Sequence, residues 1–249
     1  QLLPERFILG LGSSSQTIMG QFNGIPLEKP LTRVRETAEL VKIMLAGEKT
    51  DYDGETVFSR GYRQAPMENA PQVYLAALRP KMIEMAAEVG DGVIFNLWPK
   101  AALPKMMEHV AIGAKAAGKD PAGVEIVNRA MVLCTDDKEY GRNLFRAAFG
   151  PYYATPVYNN FLAWAGYTEA AAQIAEGWAE KDRNKTASAM SDEMIDEIAI
   201  IGNEDEIQAR IQADADGGVD THIIAPLAAK KEDVDRTFAA FTGTAFQFA

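Results

Sequence analysis

The segment RFILGLGSSS, residues 6–15, joins an apolar run to glycines and serines, which are residue types that can bind a ligand. Gly10 and Gly12 carry no side chain and therefore allow a ligand to approach the backbone closely. Ser13 and the two serines after it offer hydroxyl and amide groups for hydrogen bonds. The same residues are typical of an ordinary tight turn, so the segment predicts either a turn or one wall of a binding site.

The segment AALRPK, residues 76–81, is a second place where a ligand could bind, because a predicted strand ends at Ala77 and a predicted helix begins near Pro80. Backbone amides at a helix N-terminus point toward an anion, and the helix dipole favours negative charge there. The alternative is an ordinary turn between strand and helix, with Arg79 and Lys81 in solvent.

Three further groups of residues are candidates for contact with a substrate. Asn96 and Trp98 end a predicted strand in FNLWP, where Asn96 either faces a substrate or forms a turn. Arg129 lies in the middle of a predicted strand, where a charge needs a partner, so we expect a structural ion pair or a contact at the edge of a site rather than catalysis. Aromatic residues at helical spacing predict core packing rather than a substrate lid. They are Tyr152, Tyr153, Tyr158, Phe161, Trp164 and Tyr167.

The composition argues against several classes of function. The chain of 249 residues has 35 acidic and 25 basic residues and a net charge of −10, which argues against nucleic acid as a partner. No apolar run reaches the roughly 18 residues that a membrane-spanning helix needs, and no secretory leader is recognisable, so we expect no membrane partner and a cytoplasmic protein. Cys134 is the single cysteine, which excludes an internal disulfide and a thiolate metal cluster.

Neither histidine falls where catalysis or metal binding is expected. His109 lies on an amphipathic predicted helix, where we expect it at the surface, and His222 lies near the start of a predicted strand, where we expect a packing role. No group of histidines and carboxylates has metal-ligand spacing, so we predict no metal site. GLGSSS lacks the third glycine and the immediate helix of a dinucleotide-binding fingerprint, and no nucleophile elbow or P-loop is present in the sequence.

Apolar runs alternate with amphipathic stretches along the chain. The continuously apolar runs predict five strands buried on both faces. The first begins near residue 6, and the other four cover residues 73–77, 92–97, 124–133 and 221–227. A loop is predicted over 13–30 and a hairpin over 50–59. Helical periodicity predicts helices over 31–46, from Pro80, over 101–117, 204–215 and 231–241, and a long helical stretch over 137–198.

Buried strands that alternate with helices predict an α/β protein with a parallel sheet covered by helices. Two architectures fit this pattern: an open doubly wound sheet, or five of the eight units of a (β/α)8 barrel whose first three units precede Gln1. Because the chain enters a predicted strand within six residues of Gln1, we favour the barrel.

Several segments, in their order and spacing, resemble the bacterial luciferase-like oxidoreductases, and within them the branch that uses the deazaflavin coenzyme F420. The segments are RFILGLGSSS, FNGIPLEKPLTRVRETAELVKIMLAGEKTDYDGE, PQVYLAALRPKMIEMAAEVGDGVIFNLWP, PYYATPVYNNFLAWAG, DEMIDEIAIIGNEDE and GGVDTHIIAPL. The resemblance implies a partial (β/α)8 TIM barrel of the bacterial luciferase-like type, with a helical insertion before the last strand. It implies one domain over 1–249 that lacks about three barrel strands before Gln1.

The resemblance also implies which residues bind the cofactor. Ligands of such barrels lie at the C-terminal ends of the strands, which is where Gly10, Gly12 and Ser13 are expected. The glycines would let a flavin-like ring pass near the backbone, and Ser13 would hydrogen-bond a polar ring edge or a ribityl hydroxyl.

The loop after the next strand is implied to cradle the cofactor phosphate. The residues implied to contact it are Ala76, Ala77, Leu78 and Arg79. Arg79 stands where the family usually has glycine. An arginine there either adds a charge-assisted contact or distorts the loop, if the loop requires a positive φ.

The function implied by the resemblance is hydride transfer between coenzyme F420 and a small organic substrate, in a protein expected to form a homodimer. The resemblance implies that an acid or base is often found on the early strands or just after the glycine pair, and this chain has Ser13 at the latter position, so no catalytic residue is predicted. Two alternatives remain open. One is an FMN-dependent luciferase-like monooxygenase on the same scaffold, and the other is a non-catalytic flavin-binding or structural relative.

Overall fold

The structure is a computed structural model that describes residues 7–249, so Arg6, the first residue of RFILGLGSSS, lies outside the described residues. The chain divides into two compact units. The first contains the chain up to Ile94 together with Met106–Ile126, and the second contains Phe95–Lys105 together with Val127–Ala249. The expectation of one domain over 1–249 stays a prediction.

The elements are numbered in chain order. The strands are β1 (Ile8–Leu11), β2 (Asp51–Asp53), β3 (Phe58–Arg60), β4 (Gln72–Ala76), β5 (Gly92–Asn96), β6 (Glu125–Cys134), β7 (Ile200–Gly202) and β8 (Thr221–Pro226). The helices are α1 (Pro30–Leu45), α2 (Pro80–Val89), α3 (Leu103–Ala116), α4 (Lys138–Tyr153), α5 (Pro156–Trp164), α6 (Thr168–Ala179), α7 (Arg183–Ser188), α8 (Asp192–Ile198), α9 (Glu204–Asp216) and α10 (Lys231–Ala239). From residue 7 onward, no helix combines the length and apolar character needed to cross a bilayer.

The first unit is built on parallel strands. β1 pairs with β4, so that Gly10 lies opposite Tyr74, and β4 pairs with β5, so that Ala76 lies opposite Ile94. The apolar stripes of α1 and α2 are buried, as Val34 and Ile83 show. This parallel pairing, with helices between the strands, confirms the predicted α/β class.

The expectation that the first strand is buried on both faces is wrong. Side chains alternate along β1, and Ile8 remains 45% exposed while Leu9 and Leu11 are half-buried. Within residues 7–249, β1 pairs with β4 alone, and the half-buried residues of β1 are the two leucines on one of its faces. The face that carries Gly10 is therefore open.

The second unit is centred on the long strand β6. β7 pairs with β6 in parallel, with Ile200 opposite Val132, and β8 pairs with β6 in parallel, with Ile223 opposite Arg129. Helices α4 to α8 follow β6 and precede β8, which confirms the predicted helical insertion before the last strand. Their apolar faces form one core with side chains that include Phe145, Tyr153, Leu162, Ile174 and Ile195.

Two short elements were not predicted from the sequence. β7 has three residues between α8 and α9, and a π-helical segment, Thr17–Phe22, lies in the stretch expected to be a loop. Such short segments carry too few residues for periodicity to be recognised. The hairpin over 50–59 is confirmed as the antiparallel pair β2 and β3.

Buried Glu36 of α1 holds the β2–β3 hairpin against the helix. Its carboxylate accepts hydrogen bonds from the Thr56 hydroxyl at 2.5 Å and from the amides of Glu55 and Thr56, each at 2.7 Å, and of Val57 at 3.2 Å. These bonds, the one from the Thr56 hydroxyl first, lower the pKa of Glu36 from 4.5 to about 2. The charged carboxylate thus accepts the hydrogen bonds of the amides in the turn between β2 and β3.

We expect Glu36→Gln to lower the urea midpoint of unfolding at neutral pH, because an amide cannot accept all four hydrogen bonds. A lowered folded-state pKa contributes stability that is present above about pH 4.5 and is lost as the pH falls toward 2. The difference between the two proteins should therefore shrink between these pH values. Glu48→Gln, at an exposed carboxylate, is the control and should match the wild type at every pH.

Candidate active site

The C-terminal ends of β1 and β4 form a flat, exposed face of small residues. Gly10, Gly12 and Ala76 are all exposed and lie on the same side of the paired strands. A Cβ atom added at Gly12 would stand 3.0 Å from the Ala76 Cβ, and one added at Gly10 would stand 3.4 Å from Ile94 Cδ1. The structure thus brings together the two strand ends that the sequence singled out, and a larger residue at Gly12 would occupy the space above Ala76.

Ser13 lies directly beyond this face. Its hydroxyl donates to the Ser14 carbonyl at 3.2 Å, and Ser14 has a positive φ of 60°. A small cavity of about 180 Å³ lies behind the two serines and is lined mainly by apolar residues, with Arg33 of α1 among them. The Ser13 hydroxyl therefore lies at the border between the flat face and this cavity.

Arg79 caps the loop between β4 and α2. Its φ of −115° and ψ of 159° are extended, so the arginine does not strain a loop in which the family usually has glycine. α2 begins with Pro80, and no side chain caps its N-terminus. Arg79 is exposed and forms no ion pair with any residue of the described chain. Positive-φ strain at Arg79 is therefore absent, and the contact of Arg79 with a cofactor phosphate stays a prediction.

The four residues of this loop are not equivalent. The Ala77 amide donates to the Ile94 carbonyl at 3.0 Å, which joins the loop to β5. Ala77 is buried, Leu78 is half-buried, and Ala76 and Arg79 are exposed. Ala76 and Arg79 are therefore the accessible residues of the loop, while the buried Ala77 attaches the loop to β5.

In the second unit, Asn96, Arg129 and Tyr158 are joined by hydrogen bonds. Arg129 Nη1 donates to Asn96 Oδ1 at 3.2 Å, and Asn96 Nδ2 donates to the Tyr158 hydroxyl oxygen at 3.2 Å. Arg129 also contacts Met131 Sδ at 3.2 Å. The expected ion pair of Arg129 is not found among residues 7–249, since the groups that it reaches are an amide and a thioether.

The backbone between Asn96 and Trp98 is strained. Leu97 has a φ of 54°, a region that a leucine rarely adopts, and its side chain is buried. The buried Tyr153 hydroxyl donates to the Leu97 carbonyl at 2.9 Å. On the other side, Trp98 Nε1 donates to the buried Asn128 Oδ1 at 3.0 Å. These bonds hold the strand end in a conformation that the local sequence would not adopt alone.

Tyr158 was not recognised from the sequence as a site residue. It belongs to the aromatic cluster that was expected to be core, and Tyr153 and Phe161 of that cluster are indeed fully buried. Tyr158 is half-buried and Tyr152 is 42% exposed, so the cluster is core on one side only. The signal that was available is the polar pair Asn159 and Asn160 beside Tyr158, which is unusual in a fully buried helix.

The histidines differ in how they match expectation. His109 is not a freely exposed surface residue, because its side chain is 20% exposed and its Nδ1 lies 2.9 Å from Glu84 Oε1. His222 packs near Phe248, with 5.9 Å between ring centroids, and burial lowers its pKa. Neither contact is part of the flat face of small residues.

Comparisons with known proteins agree on one family. The luciferase-like monooxygenases match residues 1–221. The 5,10-methylenetetrahydromethanopterin reductase of Methanolobus tindarius is 32% identical over 231 residues, which are 91% of this chain and 70% of that protein. A second 5,10-methylenetetrahydromethanopterin reductase, from Archaeoglobus fulgidus, is 28% identical over 88% of this chain and 67% of that protein.

A solved structure has the same fold. The coenzyme F420 dependent tetrahydromethanopterin reductase from Methanopyrus kandleri matches with a TM-score of 0.75 at 20% identity, covering 94% of this chain and 74% of that chain. This match confirms the predicted fold class.

The described elements define an α/β protein with parallel strands and a face of small residues at the ends of two of them. The chain belongs to the luciferase-like monooxygenase family, because that family matches most of its length and a family relative shares about a third of its residues. The resemblance found in the sequence is therefore confirmed.

We expect Tyr153→Phe to destabilise the protein by about 1–3 kcal/mol, because it leaves the buried Leu97 carbonyl without its donor. The free energy of unfolding from urea denaturation measures this loss. Tyr152→Phe is the matched control, since the Tyr152 hydroxyl has no hydrogen-bond partner in the described part of the chain. Equal stability of the two variants would contradict a role for Tyr153 in holding Leu97.

Proposed function

We propose that the protein is an oxidoreductase that transfers a hydride between coenzyme F420 and a small organic substrate. The name of the Methanopyrus kandleri reductase supports F420 as the cofactor, and the names of the two relatives similar in sequence make methylenetetrahydromethanopterin the first substrate to test. The observation that carries the proposal is the flat face of Gly10, Gly12 and Ala76, all three of which are exposed.

These residues fit the tricyclic ring of a deazaflavin. Gly10 and Gly12 let the ring lie against the backbone, and the 3.0 Å gap between an added Gly12 Cβ and Ala76 shows that only glycine leaves the face flat. When bound, the deazaflavin supplies the carbon that gives or accepts the hydride. The protein then orients the ring and excludes water from one side of it.

The loop Ala76 to Arg79 fits the phosphate of the same cofactor. The amides in the first turn of α2 have no side-chain cap, and the helix dipole favours an anion at this end. The extended Arg79 is free to place its guanidinium beside the anion, where it adds a charge-assisted hydrogen bond. In this proposal, the arginine strengthens a site that the family usually builds with backbone amides.

We expect the protein to bind F420, and Gly12→Val to weaken that binding at least tenfold, because the added side chain occupies the place of the ring. Titration with F420, followed by its fluorescence, measures the affinity. Gly123→Val is the control, since an added Cβ at Gly123 meets nothing within 4 Å. It should bind F420 as the wild type does.

A parallel titration with FMN separates the two cofactors. Tighter binding of FMN than of F420 would favour the monooxygenase alternative, and no binding of either would contradict the proposed function. Unchanged F420 affinity in Gly12→Val would contradict the assignment of the flat face while leaving the cofactor itself in place.

The contribution of Arg79 can be measured separately. We expect Arg79→Gln to weaken F420 binding several-fold and to reduce the dependence of that binding on salt, because a charge beside the phosphate is screened by ions. Lys49→Gln removes one positive charge from an exposed site on the same unit and should change neither quantity. An unchanged salt dependence in Arg79→Gln would show that the backbone amides alone hold the phosphate.

A further inference from the structure

Asn96, Arg129 and Tyr158 form a polar cluster that lies entirely within the second unit. Asn96 ends β5, Arg129 lies within β6 and Tyr158 lies in α5. Arg129 Nη1 and Asn96 Oδ1 are 3.2 Å apart, and Asn96 Nδ2 and the Tyr158 hydroxyl oxygen are also 3.2 Å apart. The three residues are distant in sequence, so only the fold of this unit brings them together.

The hydrogen bonds inside the cluster occupy its acceptors and leave donors. A guanidinium only donates, so the Asn96 amide directs its oxygen toward Arg129 and its nitrogen toward the Tyr158 oxygen. The amide oxygen and the phenol oxygen therefore each accept a hydrogen bond already. The phenol hydrogen and the Nε and Nη2 groups of Arg129 have no acceptor within residues 7–249.

Arg129 also carries a positive charge that no carboxylate of the described chain neutralises. The residue is exposed, and its second contact joins Nη1 to the thioether Met131 Sδ at 3.2 Å. Its neighbour in register on β8 is the apolar Ile223, which is 47% exposed. Because no negative side chain of the described residues pairs with this cation, its charge remains available to an anion from solution.

The phenol donor is neutral and fixed in place. The rings of Tyr152 and Tyr153 stand edge-on to the Tyr158 ring, with centroids 5.8 Å and 5.9 Å away. Burial raises the pKa of Tyr158 above its usual value, while the hydrogen bond from Asn96 and the charge of Arg129 act in the opposite direction. The phenol therefore keeps its hydrogen at neutral pH and can donate it.

The backbone beside Asn96 is held in a conformation that positions the cluster. Leu97 has a φ of 54°, and its carbonyl accepts the hydrogen bond of the buried Tyr153 hydroxyl. Strain of this kind persists only where the surrounding structure enforces it, and it is frequent at binding sites. Donors that are fixed before binding lose little freedom when a ligand arrives, which favours affinity.

We propose that Arg129, Asn96 and Tyr158 form a binding site for an oxyanion, which is the carboxylate or phosphate group of a small molecule. Arg129 supplies the charge and N–H groups, the Tyr158 hydroxyl supplies a further donor, and Asn96 positions both of them. Carboxylates and phosphates only accept hydrogen bonds when ionised, and they match the fork of a guanidinium. The site belongs to the second unit alone, and neither F420 nor turnover is needed to test it.

The first experiment places a reporter inside the cluster, with 3-fluorotyrosine in place of Tyr158 and fluorine NMR as the measurement. The protein is titrated with inorganic phosphate and, separately, with acetate, while sodium chloride holds the ionic strength constant. We expect each anion to shift the fluorine resonance along a saturable curve. A resonance that neither anion shifts beyond the effect of sodium chloride would overturn the proposal.

Removal of the positive charge is the first variant test. We expect Arg129→Met to weaken the binding of the tighter anion at least about tenfold, because hydrogen bonds between charged groups contribute more than neutral ones. Arg183→Met is the matched control, since it removes the same charge from a site over the Trp178 ring in the same unit and should leave the affinity unchanged. Equal affinities of Arg129→Met and wild type would contradict the assignment.

A second variant tests the site with the arginine in place. In Asn96→Asp, the new carboxylate pairs with the Arg129 guanidinium and accepts the phenol hydrogen, so it takes the place of the bound anion. We expect the affinity to fall by at least about tenfold, as in Arg129→Met. Asn184→Asp adds the same charge at an exposed position of the same unit and should bind as the wild type does. Undiminished binding by Asn96→Asp would overturn the proposal even if Arg129→Met failed to fold.

The two anions also distinguish the sources of the oxyanion. Tighter binding of phosphate than of acetate would assign the site to a phosphorylated small molecule, and the reverse order would assign it to a carboxylic acid. Either order supports the oxyanion site, provided that Arg129→Met and Asn96→Asp weaken the tighter of the two. Loss of F420 binding by the protein would contradict the proposed function and leave this result unaffected.

Discussion

The parallel pairing of β1 with β4 is the constraint on which the candidate cofactor site depends. It sets Gly10 opposite Tyr74 and places Gly12 next to Ala76, at a distance where even one added carbon would touch its neighbour. A register shift by one residue would turn the leucines of β1 onto this face and the glycines away from it. The face of small residues is thus a consequence of strand register as much as of residue type.

Arg79 shows how a departure from a family pattern can be accommodated. An arginine in place of glycine would be costly at a positive φ, but the extended conformation found here removes that cost. Arg79 adds a positive charge at the N-terminus of α2 without strain in its own backbone. The same backbone can therefore hold an anion with amides alone or with amides and a guanidinium.

Polar groups in the second unit are arranged by long-range contacts rather than by local preference. Leu97 adopts a left-handed conformation that its own side chain disfavours, and the buried hydroxyl of Tyr153 holds it there. Arg129 was expected to form an ion pair or to lie at the edge of a site, and its partners within residues 7–249 are an amide and a thioether. An unpaired cation of this kind is costly unless solvent or a ligand shares the site, which agrees with its exposed position.

The sequence by itself determined the alternation of apolar strands with amphipathic helices, the α/β class, and the two strand ends at which small residues meet a loop. These features depend on period, composition and local turn chemistry, all of which can be read along the chain. The family was indicated by the resemblance of whole segments to known proteins. Only the tertiary structure decided which faces of β1 are covered, that Arg79 is unstrained, and that Tyr158 meets Asn96 and Arg129. The physical reason is that burial, register and hydrogen-bond partners depend on residues far apart in sequence. The periodicity of a sequence does not show which of these distant residues are in contact.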